Sequence, residues 1–460
     1  MPGWLSSYLR LAWDLRSFLR EPATPERGRE FIRQTLRNRD SAFLSLVRRA
    51  VYGNSSSPYL PLLQYTGCEY GDLERMVRAD GLEPALRRLS EGGVHLTQEE
   101  VKGRQPVVRG GRTFPFDVAS LNNPLVTGGV RVSSSGSRSP RTSTMLRLDR
   151  VAFMSQCQAV AFSAHGLLGR PTLLWMPGMP SGAGLTQLLQ FARMGVPPRR
   201  WFSPAGAGAV KPSLLKRLAA LYIVHAGRLF GSRMPSPEYV SGEQVEAVLA
   251  SLQEVLRLGR GCVVSCSPSA AVRLCQAAQT AGVGLEQVAF STGGEPLTPA
   301  KAAEIRRAGA GMVNVYASSD VGIIGFSCAG EKSACDDVHL QQGTLAAIQH
   351  RRETPFGGGP VDAFLFTSVM DRPSRVLLNV ESGDYGVLET RECGCELGAL
   401  GWKQHLHSIR SFDKLTGWGM TFVGTNLVHI VEAVLPARFG GASTDYRRRR
   451  PAAERAWMSS

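Results

Sequence analysis

The sequence predicts an α/β protein: a large multi-layer domain of mainly parallel sheet covered by helices, with a small β-rich part toward the C-terminus. Three observations lead there. Short apolar runs bounded by turn residues recur from Val151 onward at intervals of roughly 25–30 residues, with helical stretches between them, which is the rhythm of βαβ units. Residues that start and stop helices fall between those runs. Past Arg375 the rhythm gives way to short strands and tight glycine turns.

In chain order, Leu5 to Leu96 alternates helical runs with charged faces. Phe31, Leu36, Phe43, Leu44, Leu46 and Val47 are spaced to line the buried side. Asn54-Ser55-Ser56-Ser57-Pro58 punctuates two helices. Thr172 to Met176 reads as a strand, and Leu185 to Met194 as the helix that follows a Gly/Ser turn. Cys262 to Cys266 is a buried strand, followed by Ser267 as N-cap, Pro268 at the first helical position and Gly282 past the end. Val288 to Phe290 is the next strand, Thr298-Pro299 opens a helix through Arg307, and Met312 to Tyr316 is a further strand. Ligands of such sheets sit beyond the carboxyl ends of the strands, so the loops after Phe290 and Tyr316 are where a nucleotide is expected. Phe412 to Phe422, with Gly417 and Gly419, reads as a hinge-bearing connection. Leu427 to Leu435 reads as one amphipathic helix, and Arg447 to Pro451 as a disordered charged tail.

Composition narrows the function. Apolar residues make up 43% and charged residues 20% of the 460, enough for a large core and against general disorder. The net charge is +15, from 53 basic and 38 acidic residues, but the arginines are scattered. With no repeated basic helix and no aromatic-rich RNA-binding signature, nucleic-acid binding is not the expected role. Leu214 to Phe230, the most span-like run, is interrupted by Lys216, Arg217, His225 and Arg228, so no membrane span is expected. The N-terminus lacks a basic-then-apolar secretory pattern, and the expected location is cytoplasmic. Nine cysteines in so long a chain make no disulfide framework, yet four of them fall between Cys328 and Cys395.

Four segments carry the chemistry. Val132 to Thr142 is a hydroxyl-rich loop, able to wrap backbone amides and hydroxyls around a polyphosphate with two arginines adding charge. Ser291-Thr292-Gly293-Gly294-Glu295-Pro296 follows a strand, and its paired glycines let backbone approach a flat ring. Tyr316-Ala317-Ser318-Ser319-Asp320 ends the next strand. Gly383-Asp384-Tyr385-Gly386, after the apolar Val376 to Val380, puts a carboxylate in a tight turn, where it can accept from two vicinal hydroxyls. In this order and at these intervals the segments resemble the nucleotide-binding motifs of the adenylate-forming superfamily, specifically its phenylacetate–CoA ligase branch.

The resemblance covers Ser57 to Tyr446 and implies roles residue by residue. Ser134, Ser135, Gly136, Ser137 and Arg141 would form the phosphate loop, with arginine where lysine is usual and the second glycine missing. Gly293, Gly294 and Glu295 would line the adenine pocket, and Tyr316 would pack on the base beside Ser318. Asp320, where glutamate is usual, would hold magnesium, and Asp384 would bind ribose. Arg410 and Asp413 resemble the arginine and hinge aspartate of the domain junction. The implied fold is the adenylate-forming ligase type with its C-terminal lid mostly missing: a helical region over 1–99, a core over 100–409, a linker over 410–426 and a lid remnant with basic tail over 427–460. The implied reaction activates an aromatic or other apolar carboxylate with ATP, releases pyrophosphate, and passes the acyl group from AMP to a thiol, coenzyme A foremost. A carrier protein as acceptor, or a partner supplying the lid and its lysine, are the other partners considered. The alternative function is a catalytically impaired nucleotide-binding or scaffold member of the same fold.

Cys328, His339, Cys393 and Cys395, with Cys335 as substitute, form a second constellation. Three thiolates and an imidazole suit a closed, structural zinc site. Members of the phenylacetate–CoA ligase-like branch carry a site of this kind. His165 reads as a packing histidine, and Trp175, Met176, Pro177 and Phe191 as either pocket wall or core.

Overall fold

A computed structural model describes residues 3–133, 143–179, 181–205, 214–241, 244–318, 321–330, 333–353 and 359–411, with isolated short pieces between 416 and 438. Twelve strands form one sheet: β1 Thr172–Trp175, β2 Arg200–Ala205, β3 Pro237–Ser241, β4 Cys262–Cys266, β5 Val288–Gly293, β6 Gly311–Ser318, β7 Gly322–Ser327, β8 Val338–Leu340, β9 Leu345–Glu353, β10 Pro360–Ser368, β11 Val380–Thr390 and β12 Gln404–Ser411. In space they run β9-β10-β11-β12-β8-β7-β6-β5-β4-β1-β2-β3. From β3 to β6 every pairing is parallel, and from β6 to β9 every pairing is antiparallel.

The parallel half follows from local sequence. β1 and β4 are buried at every position, as strands covered by helices on both faces must be. Ser267 caps the helix Pro268–Thr280 by accepting from the Ala270 amide at 3.3 Å, and Thr298 caps Pro299–Arg307 through the Lys301 amide at 3.4 Å. The helix expected from Leu185 starts earlier, at Gly182, because Ser181 caps it. The antiparallel half is the β-rich part expected toward the C-terminus, and it continues the same sheet by hydrogen bonding through β7, β8 and β12.

The N-terminal helices cover that antiparallel half. Phe43, Leu46, Leu62, Leu86 and Leu96 pack with Ile348, Leu365, Leu377 and Val380 in one core. Asn379, fully buried, fastens the two parts. Its backbone is left-handed (φ 50°), a conformation asparagine tolerates better than most residues, and its amide donates to the carbonyls of Leu86 at 2.8 Å and Val94 at 3.1 Å. Phe31 and Leu36 pack elsewhere, against a core built on Cys157, Phe326 and Trp402.

Of the expected hinge segment, Thr416-Gly417 pairs antiparallel with Met420-Thr421. The charged tail and most of Leu427 to Leu435 lie outside the described residues. Among the described residues no helix is long and apolar enough to cross a membrane.

Replacing Asn379 by alanine strands two buried carbonyls in a left-handed turn and is predicted to cost about 2–4 kcal/mol. Urea unfolding of Asn379→Ala measures it, and a loss under about 0.5 kcal/mol contradicts this role for the side chain.

Candidate nucleotide site and metal centre

The last residue of β5, Gly293, pairs with Val315 of β6, so Gly294, just past β5, stands beside Tyr316, two residues before the end of β6. Gly294 turns with φ +80°, and no heavy atom lies within 4 Å of where a Cβ would stand. Glu295 is engaged nearby: its carboxylate accepts from the Ser269 hydroxyl at 2.6 Å and the Ser269 amide at 3.4 Å, in the first turn of the helix Pro268–Thr280. That placement favours the positive end of the helix.

Tyr316 donates its hydroxyl to Asp384 Oδ2 at 2.8 Å. Burial first, then the charge of Asp384, pushes the phenol well above its ordinary range, so it stays a donor. Gly383 before it turns with φ +82° and is packed so closely by Gln98 that a Cβ would stand 2.2 Å from that side chain. Across β11 and β12, Asp384 faces Ser411 and Tyr385 faces Arg410. Ser318 accepts from the Val321 amide at 3.1 Å and so shapes the turn between β6 and β7. Gly293, Gly294, Tyr316 and Asp384 thus adjoin one another through the β5–β6 pairing and the Tyr316–Asp384 hydrogen bond, and Arg410 lies on β12 opposite Tyr385. Ser134, Ser135, Gly136, Ser137, Arg141, Asp320 and Asp413 lie outside the described residues.

The thiol and imidazole cluster lies on the neighbouring strands. His339 Nε2 is 3.0 Å from Cys395 Sγ and 3.6 Å from Cys393 Sγ, and those sulfurs are 3.4 Å apart. The hydrogen bond from Cys328 first, and His339 next, hold the Cys395 thiol well below its usual range, while the same pairing pushes Cys328 up. His339 Nδ1 donates to the Trp402 carbonyl at 2.6 Å, which leaves Nε2 facing the sulfurs. Tetrahedral zinc bonded at about 2.0 Å to nitrogen and 2.3 Å to sulfur needs donors roughly 3.5–3.8 Å apart, which the His339–Cys393 and Cys393–Cys395 separations approach. Cys335 stands apart, its thiol 3.5 Å from the Leu297 carbonyl in another core.

Sequence reasoning missed three groups here. His405, fully buried, places a donor within 4.8 Å of those of Cys328, His339 and Cys393. Its Nδ1 is 2.8 Å from Asp337 Oδ1, and its Nε2 is buried with no hydrogen-bond partner. Arg391 bonds the other oxygen of Asp337. Asp336 accepts from the Ile409 amide at 2.9 Å and lies 3.6 Å from Arg410 Nη1. The period-two pattern His405-Leu406-His407 was the available signal for the first; neither aspartate carried one. His165 is paired with the Ser327 carbonyl at 3.0 Å, while Trp175 and Phe191 are core residues at 2% and 0% exposure.

No protein-family model matches this sequence, and no curated protein does. Solved structures do match. A 2-hydroxyisobutyryl-CoA ligase in complex with 2-HIB-AMP and CoA is similar at 15% identity and a TM-score of 0.50, over 80% of this chain and 66% of that one. The McyG A-PCP protein complexed with phenylalanyl-adenylate is similar at 10% identity and 0.39, over 78% and 50%. An AMP-forming acyl-CoA synthetase/AMP-acid ligase II-like protein of Dyadobacter fermentans is similar at 12% identity and 0.35, over 67% of each chain. The chain thus spans between about half and two thirds of these proteins. The likeness to the first shows the fold, which is that of the adenylate-forming ligases.

Proposed function

We propose that this chain is an ATP-dependent, AMP-forming acid–thiol ligase of the phenylacetate–CoA ligase-like branch. A carboxylate oxygen attacks the α-phosphorus of ATP, the bond to pyrophosphate breaks, and an acyl-adenylate forms. A thiol sulfur, that of coenzyme A in this reading, then attacks the acyl carbon and AMP leaves. The observation that carries the reading is the Tyr316–Asp384 hydrogen bond beside Gly293-Gly294, on the rim where α/β sheets hold ligands.

The protein's work in such a reaction is positioning and charge, because it supplies no nucleophile. Adenine would lie against Gly293-Gly294 and Tyr316, with Glu295 and Ser318 holding the loops around it. The ribose hydroxyls would donate to Asp384, whose second role is to accept from Tyr316. Arg410 would bring positive charge beside the sugar. Ser134, Ser135, Gly136, Ser137 and Arg141 would hold the phosphates. Magnesium on Asp320 would neutralise phosphate charge. Zinc on Cys328, His339, Cys393 and Cys395 would cross-link loops without meeting substrate. We assign an aromatic or other apolar acid as substrate, a carrier protein as the alternative acceptor, and a cytoplasmic location.

Pyrophosphate exchange into ATP, driven by a panel of carboxylates, tests the reading. Exchange with at least one apolar acid is expected, falling at least about a hundredfold in Asp384→Ala, the loss of two charge-assisted hydrogen bonds. ATP binding with no exchange across the panel would leave a nucleotide-binding module instead.

Metal analysis tests the second constellation. One zinc per chain is expected, lost in Cys395→Ser and His339→Asn, with a lowered unfolding temperature after chelation. A metal-free protein of unchanged stability contradicts the assignment.

A further inference from the structure

Two consecutive aspartates in the loop between Cys328 and His339 point to different places. Asp337, 1% exposed, is held by His405 at 2.8 Å and by Arg391. Its carbonyl accepts from the Cys328 amide at 2.9 Å and its amide donates to the Ala334 carbonyl at 3.1 Å, so the loop closes on itself. Asp336, 8% exposed, reaches across to the far end of β12, where Oδ2 meets the Ile409 amide at 2.9 Å and Arg410 Nη1 at 3.6 Å.

The place it reaches is strained. Ser408 has φ +54°, left-handed backbone that a non-glycine side chain adopts at a cost of about 1–2 kcal/mol. The β11–β12 ladder shifts register at the same level, between Tyr385 and Val387. A residue in that conformation turns the strand, and the next amide, that of Ile409, finds its acceptor in Asp336. Arg410 follows at once, opposite Tyr385 and one residue from the level of Asp384. The carboxylate therefore touches both the backbone that aims Arg410 and the guanidinium itself.

We propose that Asp336 is a positioning residue: it secures the kinked end of β12 and holds Arg410, the arginine that the proposed function assigns to the nucleotide. This rests on the proposed function, since it needs Arg410 to meet the nucleotide. The carboxylate needs no contact with substrate. Its effect is pre-organisation, so that Arg410 does not have to be ordered on binding.

Calorimetric titration of the full-length protein with AMP, alongside zinc content and unfolding temperature, tests it. Asp336→Ala is expected to weaken AMP about tenfold, the size of one charge-assisted hydrogen bond, with zinc retained. Asp336→Asn keeps an acceptor for the Ile409 amide and is expected to recover part of that loss; it also serves if the alanine variant does not fold. Arg410→Ala is expected to weaken AMP by itself, and adding Asp336→Ala to it is expected to have no further effect. In activity assays the loss should fall on the KM for ATP more than on kcat. If Asp336→Ala and Asp336→Asn both bind AMP as the parent does while Arg410→Ala does not, the positioning role is overturned and the function stands. If Arg410→Ala and Asp384→Ala also bind AMP normally, the nucleotide-site reading itself fails.

Discussion

A 2.8 Å hydrogen bond between Tyr316 and Asp384 joins two strands that four inter-strand steps separate, since β12, β8 and β7 lie between β6 and β11. In a flat sheet four steps of about 4.8 Å would hold those backbones roughly 19 Å apart. The sheet must therefore curl, so that the antiparallel half folds its rim back toward the parallel half. The described residues of the candidate site inherit their places from that curl. Gly293 and Gly294 come from the parallel half and Asp384 and Arg410 from the antiparallel half, and Tyr316 stands at the join.

What holds the curl is distributed on either side of it. The N-terminal helices press on the outer antiparallel strands through the core around Phe43 and Leu365, and Asn379 fixes their contact four residues from Gly383. Gln98 closes against Gly383 itself. On the other side the cysteine and histidine cluster brings Cys328, just past β7, and His339 of β8 against the loop after Thr390. It is backed by the helix Pro25–Arg37, whose Arg29 pairs with Glu396 at 2.6 Å. The zinc proposed there would add a cross-link where β8, which spans only Val338–Leu340, offers few ladder bonds of its own.

The local parts of this arrangement could be read from the sequence. Ser267 and Thr298 cap helices because the capping oxygen and the amides it meets are neighbours in the chain. The paired glycines at the end of β5 and the close spacing of Cys393 and Cys395 are local signals too. Asp384, by contrast, was expected in a tight turn after a strand. It lies within β11 behind the left-handed Gly383, because its ladder with β12 carries the strand through that glycine. Non-local pairing was not legible. That β6 through β9 would extend one sheet depends on strands far apart in sequence finding one another, as does the register that sets His339 against His405. Asp336 and Asp337 differ in role only because one faces the kink at Ser408 and the other the buried imidazole. Trp175 and Phe191 carry the composition of a pocket wall, yet both are buried, because an apolar side chain reads alike in a cleft and in a core.

The central claim is that this rim holds an adenine nucleotide with Asp384 beneath the sugar. Competition binding of AMP and 2′,3′-dideoxy-AMP to the parent protein and to Asp384→Asn tests it most directly. The account predicts that the parent prefers AMP by about ten- to a hundredfold, from hydroxyls donating to a carboxylate, and that the variant loses that preference. Equal binding of the two nucleotides by the parent, or an undiminished preference in the variant, contradicts it.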